Sequence, residues 1–156
     1  MITGIGQKIM KAFELKIRYP HQINRNEISD LGTLDLATIL TKFDEMAWRQ
    51  QLVRQLQLNG VNPSFIVTDG YTGQTISITL DAFAKSQQLE FKFDSDIPVI
   101  ISKKDVFGWV TRKTKDTVSF KQLSLAQAKD YLTAFLNRDT ARLEEIYKEN
   151  LGKSSK

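Results

Sequence analysis

Apolar and charged residues alternate from Phe13 to Tyr19 (Phe-Glu-Leu-Lys-Ile-Arg-Tyr), which places Phe13, Leu15 and Ile17 on one face of a half-buried strand. Pro20 ends it. The polar run from His21 to Gly32 carries Asn24, Asn26, Ser29 and Asp30 as turn formers and predicts a loop. From Leu34 to Leu58 the period becomes helical: Ile39, Phe43, Met46, Ala47, Val53 and Leu56 fall near one face, and Trp48 and Leu52 widen it. Thr41 and Asp44 resemble a capping pair, so a helix beginning at Thr41, after a separate short element, is an alternative reading. Asn59-Gly60 closes the segment, because glycine takes a left-handed conformation at a helix C terminus without steric cost.

The middle of the chain reads as strands. Phe65-Ile66-Val67-Thr68 is rich in β-formers, Asp69-Gly70-Tyr71-Thr72-Gly73 supplies a turn, and Thr75 to Leu80 alternates Ile76, Ile78 and Leu80 against hydroxyl residues. Leu89, Phe91 and Phe93 alternate with Glu90, Lys92 and Asp94, whereas Pro98-Val99-Ile100-Ile101 is apolar throughout and fits a strand buried on both faces. Val106 to Arg112 and Thr117 to Phe120 suggest a further hairpin turning at Lys113 to Asp116. Ser124-Leu125-Ala126-Gln127 then forms a capping box, opening a helix whose core residues are expected to be Leu125, Ala128, Leu132 and Phe135. Asp139 is placed to cap a last helix bearing Leu143, Ile146, Tyr147 and Leu151. Strands followed by helices indicate an α+β fold: an antiparallel meander sheet packed with one long helix from the N-terminal half and two C-terminal helices.

Composition narrows the function classes. With 156 residues, 41% hydrophobic and 26% charged, the chain suits one self-sufficient domain over 1–156, with a folded body at 11–151 and frayed ends at 1–9 and 152–156. The absence of cysteine excludes disulfides, thiolate nucleophiles and Cys-based metal sites. No stretch is apolar for the roughly 20 residues of a membrane span, and the N-terminal residues lack a signal-peptide core, so a cytoplasmic protein with no membrane association is expected.

Candidate chemistry is sparse. His21 is the sole histidine, which excludes a two-His metal site within one chain and makes a surface-loop residue the simpler reading. Asp69 and Asp81 sit near strand ends where catalytic carboxylates often lie, and Asp94-Ser95-Asp96 resembles an oxygen-ligand pair, although turn formation explains these acids more simply. Asp69 to Gly73 lacks the Lys and Ser/Thr of a phosphate-binding loop. No catalytic constellation and no cofactor are therefore expected.

The net charge of +4 concentrates around 103–121, where Lys103, Lys104, Arg112, Lys113, Lys115 and Lys121 outnumber Asp105 and Asp116. Phe107 and Trp109 alternate through this stretch, so a face of cations and aromatics for single-stranded nucleic acid is one reading and a solvated hairpin with inward aromatics is the other. Tyr71 at a turn tip, together with Trp109, Arg112, Lys113 and Lys115, forms the candidate partner-binding set. Trp48 and Arg49 on the long helix would make strong interface anchors if exposed, but core packing explains Trp48 more simply, since the Trp48-Leu52-Leu56 series is spaced for a stripe buried within the domain.

An N-terminal strand, a long helix containing Phe43-Asp44-Glu45-Met46-Ala47-Trp48, a meander from Phe65 to Phe120 and closing helices from Leu123 to Tyr147 make a layout similar to that of small bacterial immunity proteins, which neutralise polymorphic or contact-dependent toxins. The resemblance implies a cytoplasmic protein that inhibits a cognate toxin by direct binding. Inhibitors of nucleases tend to present acidic surfaces, and the mildly basic body argues against a nuclease partner. The expected function is a non-enzymatic protein-binding module whose partner is a protein such as a toxin domain, with nucleic-acid binding by the basic hairpin as the alternative and oligomeric state open.

Overall fold

The alternating segment Phe13–Arg18 forms β1, the second strand of an antiparallel sheet. The computed structural model describes residues 13–81, 89–104 and 111–154, with the backbone alone at 103, 104, 111, 112 and 152–154. The other strands are β2 (Ser29–Leu34), β3 (Ser64–Asp69), β4 (Thr75–Asp81), β5 (Glu90–Lys104) and β6 (Thr111–Leu123), in the order β2-β1-β3-β4-β5-β6. Helices α1 (Leu36–Asp44) and α2 (Trp48–Leu58) follow β2, and α3 (Leu125–Leu136) and α4 (Thr140–Ser154) follow β6. The fold is α+β with an antiparallel sheet, as the order of patterns predicts.

Period-two alternation decides which face is covered. Phe13, Leu15 and Ile17, Phe65 and Val67, Ile76, Ile78 and Leu80, and Phe91 and Phe93 are all buried, while their intervening neighbours remain exposed or half-buried. Helices cover the buried face, as the ring contacts show: Phe43 meets Phe65 edge-on at 5.2 Å, Trp48 meets Phe91 at 5.1 Å, and Phe13 lies 6.2 Å from Phe135. Burying each such side chain contributes about 1.5–3 kcal/mol. On the open face, hydroxyl pairs Thr68–Thr75 at 2.9 Å and Ser64–Thr79 at 3.1 Å bridge β3 and β4.

Several elements depart from the sequence reading, each for a local reason. Ser29–Leu34, read as loop up to Gly32 and as helical from Leu34, is the edge strand β2; an edge strand needs little apolar alternation, and its pairing shifts register beside Gly32, whose φ is +78°. The long helical segment is divided at Glu45–Ala47, and its observed first cap is Asp35, whose carboxylate accepts from the Thr38 amide at 2.8 Å. Asn59 takes the left-handed conformation at the α2 end with φ 48°, whereas Gly60 is required by close approach: a Cβ there would lie 2.1 Å from the Pro20 carbonyl oxygen.

Lys113 to Asp116 form no turn but lie within β6, paired with Val99 to Ser102 of β5. Their solvated extension carries no one-sided apolar pattern, which is why the run reads as a turn. Residues 105–110, and with them Asp105, Phe107 and Trp109, lie outside the described residues, as do 1–12 and 155–156. The capping box is present as read: Ser124 Oγ accepts from the Gln127 amide at 3.1 Å and Gln127 Oε1 accepts from the Ser124 amide at 2.9 Å. Leu125, expected in the core, is 41% exposed because it opens the helix beyond the sheet end. No described helix is long and apolar enough to cross a membrane.

Candidate protein-binding surface

The register assigns the candidate residues to two ends of the sheet. Phe13 opposite Asp69 marks one end, where β3 turns into β4 and where β5 and β6 run on past Ser95 as a long hairpin. Arg18 opposite Ser64, Asp81 opposite Glu90 and Phe91 opposite Leu123 mark the other.

Tyr71, Lys113 and Lys115 all belong to the hairpin end and are exposed, and Arg112 pairs through its backbone with Lys103. Tyr71 is nevertheless tied into a structural clamp. Arg138, in the link between α3 and α4, donates from Nε to Asp69 Oδ2 at 2.9 Å and from Nη2 to Asp69 Oδ1 at 3.3 Å, forming a bidentate pair. Its guanidinium carbon lies 5.0 Å from the Phe13 ring centre and 5.4 Å from that of Tyr71. The Tyr71 amide donates to Asp69 Oδ1 at 2.8 Å, and the Gly73 amide donates to the Asp69 carbonyl at 2.7 Å. Burial pushes the Asp69 carboxyl up, but the Arg138 and Tyr71 hydrogen bonds, the Arg138 charge and the Thr72 amide outweigh it and hold the group below its usual range.

Of the other acids singled out, Asp94 and Asp96 have structural partners and Asp81 is exposed at the end of β4. Asp96 Oδ1 accepts from the Thr75 amide at 2.7 Å, and Asp94 lies 4.0 Å from Lys92 Nζ. Tyr147 donates its hydroxyl to Asp116 on β6; burial first, then that hydrogen bond and charge, push its phenol up to about 12. His21 is exposed and stacks against Tyr19 with ring centres 6.1 Å apart. Among the described residues, no group of three or more His, Asp or Glu side chains is placed to hold a metal ion.

The opposite end carries a surface that the helical periodicity did not reveal. An open groove of about 910 Å³ runs between α2 and the start of α3, lined by Trp48, Arg49, Val53, Arg54, Leu89 and Leu125 among others. Its size falls within the roughly 300–1,000 Å³ of ligand clefts. An adjoining hollow shares Asp44, Trp48 and Leu125 and adds Phe43, Ala126 and Lys129. Trp48 is only 4% exposed, but Val53 is 49% exposed and Leu56, on the same helix, 69%. The expected buried Trp48-Leu52-Leu56 stripe is therefore buried at Trp48, half-buried at Leu52 and open to solvent at Leu56. The break at Ala47 turns α2 so that only its Trp48, Gln51, Leu52 and Gln55 side faces the domain.

Polar groups around this groove lack the partners found at the hairpin end. Ala47 precedes α2 in a left-handed conformation, φ 50° and ψ 58°, and offers no side-chain cap; the first turn holds no acidic residue. Trp48 Nε1, of a residue in the groove wall, is buried without a hydrogen-bond partner among the described residues. Asp44, the carboxylate in the lining, is engaged by Lys129 Nζ at 2.9 Å.

Comparison of the chain with protein-family models, with curated proteins and with solved structures finds no match. The chemistry of the surface therefore carries the functional argument.

Arg49 was weighed from the sequence as an interface anchor beside Trp48, whereas Arg54 and Val53 were not singled out as binding residues. The available signal was compositional: Trp48–Leu58 holds two arginines and four glutamines but no acid, too polar for a helix buried on a wide face.

Proposed function

We propose that this chain is a non-enzymatic protein-binding module, and specifically an immunity protein that neutralises a cognate bacterial toxin by direct binding. The observation that carries the binding reading is the α2 groove, where exposed Val53 and Leu125 lie beside Arg49 and Arg54 over a buried Trp48. Aromatic and arginine residues around an apolar centre are the usual composition of a protein-binding hot spot. The shifted ionisable groups support the same reading, since Asp69 is engaged by Arg138 and Tyr147 by Asp116 rather than converging on a shared cleft. The immunity assignment rests on the layout of strands and helices.

The test is affinity capture from the native organism with the full chain at low and high salt, identifying recovered protein and nucleic acid. A protein retained at equal stoichiometry through high salt supports the module. Growth arrest when that protein is expressed alone, relieved by co-expression of this chain, supports immunity; a harmless partner rejects immunity and leaves binding standing. The nucleic-acid alternative is favoured by exposed Lys113 and Lys115 on β6, and predicts nucleic acid that is lost steeply as salt rises.

A further inference from the structure

We infer that the groove between α2 and the start of α3 receives an acidic peptide segment with an apolar anchor, supplied by the partner protein. The inference rests on the protein-binding reading and names what that site recognises. The apolar part of the argument is the wall formed by Trp48, Val53, Leu89 and Leu125, of which Val53 and Leu125 remain 49% and 41% exposed. Such a wall accepts an aliphatic or aromatic side chain and gives nothing to a phosphodiester backbone.

The acidic part follows from charge and from the helix end. Arg49 and Arg54 line the groove and have no acidic partner among the described residues, while the lining's Asp44 is already neutralised by Lys129. At the mouth of the same groove, α2 begins at Ala47 with no side-chain acceptor and no acid in its first turn, so its leading amides and the positive end of its dipole favour an incoming carboxylate. The other helices contrast with this: α1 has Asp35, α3 has Ser124 and α4 has Asp139 accepting from their first-turn amides. Two exposed guanidinium groups and an uncapped helix start favour an incoming acceptor, and a carboxylate beside a hydrophobic residue supplies both halves of the match.

The experiment measures fluorescence anisotropy of labelled peptides against the purified full chain. The probes are a peptide alternating Asp or Glu with Leu and Phe, the same peptide with Asn and Gln in place of the acids, and a single-stranded oligonucleotide as competitor. The acidic apolar peptide is expected to bind, and the amide version to bind about tenfold more weakly or worse. The Arg49→Gln/Arg54→Gln double variant should lose a similar factor, Arg49→Lys/Arg54→Lys should recover part of it, and Val53→Asp should abolish binding. All of these positions are exposed, so unchanged thermal unfolding certifies the fold. Equal binding of acidic and amide peptides, no effect of the arginine variants, displacement by the oligonucleotide, or no binding of the acidic peptide would each overturn the inference. A captured native partner that binds Val53→Asp as tightly as the unaltered chain would overturn it while leaving the protein-binding reading intact, whereas failure to capture any partner counts against that reading alone.

Discussion

At the hairpin end of the sheet, the Asp69 carboxylate takes both Arg138 and the Tyr71 amide, and Arg138 in turn lies over Phe13 and Tyr71. At the other end, the α2 helix starts without a cap, the Trp48 indole donor lacks an acceptor among the described residues, and Val53 and Leu56 face solvent. Both regions contain arginine, an aromatic ring and a turn, and charge content alone does not separate them. What separates them is satisfaction. A bidentate pair between a buried acid and an arginine is already complete and stabilises the fold, whereas exposed apolar groups beside arginines without an acidic partner among the described residues gain free energy when something else arrives. Exposure of an aromatic such as Tyr71 therefore points to a surface, and the state of its hydrogen-bonding neighbours decides whether that surface is spent or open.

The largest expected effect comes from removing the floor of the groove. Trp48→Ala deletes contacts to Phe43 and Phe91 and should cost about 3–5 kcal/mol, measured by urea unfolding. A small loss would show that Trp48 is held for a partner rather than for the fold. Next, Asp69→Asn breaks the clamp and should cost about 2–3 kcal/mol at neutral pH. Because the folded carboxyl titrates below its unfolded value of about 3.9, its contribution is present above that pH and disappears as pH falls through the folded value. Acid titration of stability should thus be flatter in Asp69→Asn below about pH 4.

Tyr147→Phe removes the bond to Asp116 and should cost about 1 kcal/mol. Here the sign reverses. The folded phenol is raised to about 12, so its contribution is full below the unfolded value of about 10 and is lost as pH rises through 12. Alkaline unfolding of the variant should lack that component.

At the groove mouth, Ala47→Gly relieves a left-handed alanine and should stabilise by up to about 1 kcal/mol, read as a raised Tm. Smallest of all, Leu56→Gln should change stability by no more than about 0.5 kcal/mol. A larger loss from Leu56→Gln would mean that α2 packs its apolar side inward after all and would remove the contrast between the two ends.

Much of the fold was legible because it is encoded by neighbours in the chain. Strand β1, the β3–β4 hairpin and the Ser124–Gln127 cap depend on alternation, turn residues and a hydroxyl placed beside its amide, all of which are local. Edge strand β2 and the solvated stretch of β6 were hidden because a strand that is little buried carries no apolar period. The candidate site was less legible still. Tyr71, Lys113 and Lys115 were visible as exposed residue types, but the engagement of Tyr71 by Arg138 requires a partner from the far end of the chain. Arg49 was visible as a candidate anchor, but Val53 and Arg54 were hidden inside what reads as one continuous helix.

The sequence by itself determined the class of fold, the face of each well-patterned strand and the start of α3, since side-chain period and capping act within a few residues. Tertiary structure alone decided that Asp69 and Arg138 meet across 69 positions, that the helix breaks at Ala47, and that Leu56 and Leu125 lie outside the core. The reason is that a periodic apolar pattern names a face, but only the packing of other elements against that face determines which of its residues are covered and which polar groups find partners.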